Sequence, residues 1–135
     1  MQSFEQIADW ITQKYTVTVM EPFLLALELS IQHGKRHQSV FLSELIDEDQ
    51  HKILRISTVV ADVGRVKDLQ QALAFNWQSR SGYLAISEMG DKRYLNLCEN
   101  RPYQNLSLTD LERSILRIGG LGDQMELQWQ SGDAF

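Results

Sequence analysis

Phe23-Leu24-Leu25-Ala26-Leu27-Glu28-Leu29-Ser30-Ile31 carries an apolar side chain at every odd position, while Glu28 and Ser30 interrupt the even ones. A period of two is that of a strand with one face against a core, and it predicts the first strand over Phe23 to Ile31. Polar His33-Gly34-Lys35-Arg36-His37 follows as a turn, then a second strand over Val40 to Ile46. Asp47-Glu48-Asp49-Gln50 makes another turn, and Ile53 to Val60 a third strand. Connections this short join antiparallel neighbours, and the opposite charges of the two turns suit solvated hairpin tips.

Upstream of this meander, Pro22 and the β-branched Thr16-Val17-Thr18-Val19 indicate extended chain. Further back, Ser3-Phe4-Glu5-Gln6 has the form of a capping box, with Ser3 and Gln6 reciprocally satisfying early amides. Phe4, Ile7, Ala8, Trp10 and Ile11 recur at helical steps, predicting a first helix that ends near Tyr15 and buries this stripe.

Downstream, Gly64 precedes Val66, Leu69, Leu73, Asn76 and Trp77, the spacing of a second helix closing near Ser79. Tyr83-Leu84-Ala85-Ile86 and Tyr94-Leu95-Asn96-Leu97 flank Met89-Gly90-Asp91-Lys92, whose Gly-Asp centre suits a hairpin turn. After Asn100-Arg101-Pro102, Ser107 caps a last helix with Asp110 three residues on. Leu108, Leu111, Ile115, Ile118, Gly122, Met125 and Trp129 fall on one face of a single long helix. Gly119, Gly120 and Gly122 each cost it about 1 kcal/mol relative to Ala, so it is kinked near Gly119 or held there by close packing. The expected fold is α+β, a five-stranded antiparallel sheet with three helices in the order α-β-β-β-α-β-β-α, apolar on the face that the helices cover.

The chain has 135 residues, enough for one core. No apolar run approaches the roughly 20 residues of a membrane span. Thirteen Lys+Arg against 18 Asp+Glu give a net charge of −5, which opposes diffuse binding to nucleic acid or anionic lipid. MQSFEQIADW has neither the basic start nor the apolar stretch of a secretory signal, and the lone Cys98 has no internal disulfide partner. The expectation is a cytoplasmic protein.

No spacing demands a catalytic or cofactor site, and none is expected. His33 and His37 are four apart but straddle a turn instead of a helix that would align their imidazoles. Asp47, Glu48, Asp49 and His51 lack the glycine and distal Glu of a calcium loop and read as an acidic solvated turn. Gly119-Gly120-Leu121-Gly122 lacks the Lys-Ser/Thr of a phosphate loop and follows a helix instead of a strand. Cys98 has no sequence-local His or second Cys and reads as a structural thiol. Asn76, beside an apolar helix face, suits a role in capping backbone or crossing a subunit boundary. Trp10, Trp77 and Trp129 lie on three separate helices, as fillers of a core or an interface.

Leu69-Gln70-Gln71-Ala72-Leu73-Ala74-Phe75-Asn76, Gly82-Tyr83-Leu84-Ala85-Ile86 and Tyr94-Leu95-Asn96-Leu97 together resemble the class I type III secretion chaperones of the Tir-chaperone type and the related YbjN-like proteins. Leu106-Ser107-Leu108-Thr109-Asp110-Leu111 and Met125-Glu126-Leu127-Gln128-Trp129 are similar to the last helix of these families. The resemblance implies a single chaperone-like domain over residues 1–135, a non-enzymatic homodimer that holds an extended polypeptide. It places the dimer contact at Leu69, Leu73, Asn76 and Trp77, and the polypeptide contact at Phe4, Ile7, Ile11, Phe23 and Leu25. The alternative it implies is a YbjN-like regulatory binding protein with a regulatory partner in place of a secreted client. From a different class, a small ligand-binding protein or enzyme whose residues converge from distant positions stays open.

Overall fold

Ser3 Oγ accepts the Gln6 amide proton at 3.2 Å and starts helix α1, Phe4–Lys14, as the capping signal predicts. The structure, a computed structural model, describes residues 3–32 and 34–131. His33, half of the histidine pair considered above, lies outside the described residues, as does the side chain of Trp129. Four strands follow α1: β1 (Thr16–Glu21), β2 (Leu24–Ile31), β3 (Arg36–Ile46) and β4 (Lys52–Asp62). A 3-10 turn at Val63–Arg65 leads to helix α2 (Leu69–Gln78), the hairpin strands β5 (Tyr83–Met89) and β6 (Lys92–Pro102), and helix α3 (Leu108–Ser131).

The sheet has six antiparallel strands in the order β1-β2-β3-β4-β6-β5, not five. The extra one is β1, the Thr16–Glu21 segment that the sequence marks only as extended. Phe23, expected as the first residue of the next strand, instead forms the turn at a φ of 67°, which folds β1 back onto β2 and leaves Phe23 outside. The order is therefore α-β-β-β-β-α-β-β-α.

The odd positions of β2 behave as their alternation predicts. Leu25, Leu27 and Leu29 are buried; the register sets Leu25 beside Leu42 and Leu27 beside Val40 on β3, and Leu42 in turn beside Ile56 on β4. Ile7 and Ile11 of α1 and Leu111, Ile115 and Ile118 of α3 are fully buried in the same core. Each such side chain contributes about 1.5–3 kcal/mol relative to exposure. Both helices thus cover one face of the sheet.

Helix α3 runs unbroken through its glycines, with Ser107 Oγ accepting the Asp110 amide proton at 3.1 Å. A Cβ on Gly119 would sit 2.4 Å from Leu29 Cδ2, and one on Gly122 only 2.3 Å from Thr58 Cγ2. The helix backbone lies directly on the sheet at these two turns, and close packing is the reason for the glycines. Beyond them Arg36 Nη2 donates to Asp123 at 2.6 Å, and Gln38 Nε2 donates to Thr58 Oγ1 at 2.8 Å and to Glu126 at 3.4 Å. These polar ties hold the last turns of α3 where the glycines offer no side chains.

Candidate protein-interaction surfaces

Asp68 caps α2 by accepting the Gln70 amide proton at 2.9 Å, which starts the helix later than Val66. Residues 72 and 75 face the protein: Ala72 is buried and Phe75 packs against the core. Leu69, Leu73 and Trp77, at steps of four, fall together on the outer face. Their exposures are 41%, 66% and 91%. Three large apolar side chains in one line on a short helix form a surface that water covers poorly.

Asn76, the fourth residue expected at a subunit contact, points inward. Its Nδ2 donates to the Leu84 carbonyl at 3.0 Å, and its Oδ1 accepts the Leu84 amide proton at 2.6 Å. The amide thereby satisfies both backbone groups of one residue on the edge strand β5 and fastens α2 along that edge. Of the two roles considered for it, this is the capping of neighbouring backbone.

The opposite edge of the sheet is β1. Among the described residues no strand pairs with its outer side. Val19, Met20 and Phe23 are exposed there, Phe23 at 59%. The other residues expected to touch a polypeptide are placed differently: Phe4, Ile7, Ile11 and Leu25 are all core residues, exposed by 7% or less. Packing and partner binding call for the same apolar residue types, and here the core has taken them. The folded chain does not offer these four to a partner.

Asp47 Oδ1 accepts amide protons from Asp49 at 2.8 Å and His51 at 2.9 Å, so the acidic turn is closed by its own carboxylate. The His51 amide foremost, then that of Asp49 and the neighbouring imidazole, hold the Asp47 carboxyl below its usual pKa. Cys98 is buried on β6, and burial pushes its thiol upward despite the nearby Arg55 charge and a hydrogen bond with Tyr83. Glu99, exposed by only 7%, accepts from Ser114 Oγ at 2.6 Å and from Arg117 Nη2 at 2.7 Å, joining β6 to α3. The sequence reading missed this group because its members lie 15 and 18 residues apart, on elements whose facing only the fold decides.

No known protein family's sequence profile matches the chain. It is 28% identical over 141 aligned positions to COP9 signalosome complex subunit 11 of Eremothecium gossypii; the alignment takes in 97% of this chain and 33% of that protein. The chain therefore spans about a third of that relative's length. Its fold is similar to that of YbjN, a candidate transcription regulator from E. coli, with a TM-score of 0.62 over 96% of this chain and 92% of that one. At 12% identity the likeness is one of fold. The fold is thus YbjN-like, an α+β arrangement of three helices on a six-stranded antiparallel sheet. No helix among the described residues is long and apolar enough to cross a membrane.

Proposed function

We propose that the protein is a non-enzymatic, homodimeric protein-binding module. The observation that carries this reading is the outward line of Leu69, Leu73 and Trp77 on α2. Two copies of the line packed across a twofold axis bury what each leaves in water, and a self-complementary patch is what such an axis requires. A polypeptide partner then adds as a strand to the outer edge of β1, where free backbone groups pair with it and Val19, Met20 and Phe23 supply apolar contact. The chaperone-like version of this activity holds an extended client in the cytoplasm; it uses no cofactor, nucleic acid or membrane.

Light scattering on the purified chain tests the dimer. A twofold mass that falls to one chain in Trp77→Asp and Leu73→Asp supports the reading, and a monomer at high micromolar concentration overturns it. Isolation of partners with the wild type and with a Val19→Pro variant, which blocks edge pairing, tests the strand addition.

A YbjN-like regulatory binding protein is the second reading, favoured by the shared fold with a candidate transcription regulator. The curated relative is named as a subunit of a larger complex, which also suits a module that works through contact with other chains. Identifying the captured partner separates a client from a regulatory protein.

A further inference from the structure

The face of the sheet opposite α1 and α3 is not flat. The register lines up Phe41, Ser57, Cys98 and Tyr83 across β3, β4, β6 and β5, flanked by a row with Ser43 and Arg55 on one side and a row with Val59, Asn96 and Ala85 on the other. Small residues form the floor, and Leu24, Phe41, Val59, Tyr83 and Met89 rise around it. The result is a depression of about 370 Å³ in which Cys98 is exposed by only 4% and Asn96 by 7%. Most of this lining is apolar, and it contains one charged side chain, Arg55, with no carboxylate.

Arg55 Nε is sealed from solvent and has no hydrogen-bond partner. No ion pair among the described residues involves its guanidinium. Arg36 on β3 and Arg101 on β6, by contrast, each have a carboxylate within 4 Å. A buried donor on a charged group is expensive to leave unpaired, and a guanidinium fits the two oxygens of a carboxylate. Strands β3, β4 and β6 are hydrogen-bonded on both sides, so their backbone has nothing to give an added peptide strand. Recognition in this depression rests on apolar walls and one cation, the pattern of a small-molecule pocket.

We infer that the open face of the sheet binds a small apolar organic anion, a carboxylate on a hydrocarbon body, with Arg55 as its counter-ion. The hydrocarbon lies on Phe41, Val59 and Tyr83, and the carboxylate accepts from the Arg55 guanidinium. The site is separate from α2 and from the edge of β1 and stands independently of the dimer.

The test is a titration of the ¹⁵N-labelled full chain with decanoate, decanol and decyltrimethylammonium, the two ions below their micelle concentrations and decanol below its solubility limit, with Arg55 Nε–H and the amides of β3, β4 and β6 followed by NMR. Decanoate is expected to shift these signals and to bind at least tenfold more tightly than decanol, and the cation is expected not to bind. Arg55→Gln lowers the decanoate affinity to that of decanol, while Arg55→Lys keeps a preference for the acid. Equal binding of acid and alcohol, shifts confined to other surfaces, or an Arg55→Gln variant that binds decanoate as well as the wild type overturns the inference. If Arg55→Gln does not fold, the wild-type comparison and Arg55→Lys decide. Mass measured by light scattering in the same samples reports on the dimer separately.

Discussion

Asn76 and Leu84 are bound to one another as two residues of neighbouring strands would be: one side-chain amide exchanges two hydrogen bonds with one backbone unit. The edge strand β5 thus receives from a helix part of what a seventh strand would give it, and the two apolar surfaces of the molecule are separated. Asn76 holds the inner side of α2 while Leu73 and Trp77 remain outside.

Asn76→Ala leaves the Leu84 amide and carbonyl unsatisfied in a half-buried place and removes the clamp on α2. A loss of about 1–3 kcal/mol in urea unfolding is expected. Asn76→Asp keeps the acceptor for the Leu84 amide but sets a carboxylate against the Leu84 carbonyl, and it is expected to be no more stable than Asn76→Ala. A fully stable Asn76→Ala would show that α2 docks through Ala72 and Phe75 alone.

The three glycines of α3 separate helix propensity from packing. An added Cβ meets nothing within 4 Å at Gly120, so Gly120→Ala should stabilise by up to about 1 kcal/mol. At Gly119 the obstacles are a terminal methyl of Leu29, the far end of a side chain with two rotatable bonds, and a Val40 methyl at 3.3 Å. At Gly122 it is Thr58, whose hydroxyl donates to Ser39 O at 2.7 Å and accepts from Gln38 at 2.8 Å and so fixes its methyl. Overpacking of this kind costs about 1–3 kcal/mol. Melting temperatures should rank Gly120→Ala above wild type, then Gly119→Ala, then Gly122→Ala.

What the sequence discloses here depends on how local the cause is. The caps at Ser3 and Ser107, the turn at Gly90 and the alternation of Leu25, Leu27 and Leu29 act within a few residues, and the pattern shows them directly. Strand β1 escapes because its side chains are nearly all exposed: Thr16-Val17-Thr18-Val19 marks extended chain, but with no fully buried residue it carries no core signal that sets it in the sheet. The spacing groups Leu69, Leu73, Asn76 and Trp77, but a helical period does not say which face turns outward. That choice is made by Asn76 on Leu84. For Ile7 and Ile11 the helical stripe itself indicates burial, and the partner contact that the resemblance implies gives way to the core. Arg55 has no signal of its own in the sequence beyond its place within a strand; only the fold sets it among apolar neighbours without an ion-pair partner.

Glu99 and Arg117 should show coupling. Arg117→Met leaves a nearly buried carboxylate with Ser114 and, at 3.6 Å, Arg101 as its remaining partners, and is expected to cost about 1–3 kcal/mol. Adding Glu99→Gln removes the charge that Arg117 served. The double variant should therefore be more stable than the sum of the single losses allows, by at least about 0.5 kcal/mol in a double-mutant cycle. Strict additivity would mean that the two side chains act independently of one another.

Cys98 gives the sheet a pH-dependent reporter. Burial is the main cause of its raised pKa, with Arg55 and Tyr83 acting in the opposite direction. The folded state therefore resists forming the thiolate, and alkylation of the native chain should become fast only at pH values above those at which the urea-unfolded chain already reacts. The sign for stability follows from the same shift. A group whose pKa is higher folded than unfolded stabilises fully below the unfolded value, and its contribution is lost as pH rises through the folded one. Stability should decline on the alkaline side of the ordinary thiol range, and Cys98→Ala should lessen that decline. Arg55→Gln removes the cation that favours the thiolate, so its alkylation profile should move further toward high pH. Coincident profiles for native and unfolded wild-type protein would mean that Cys98 is open to solvent in solution, and with it the floor of the depression on the sheet's free face.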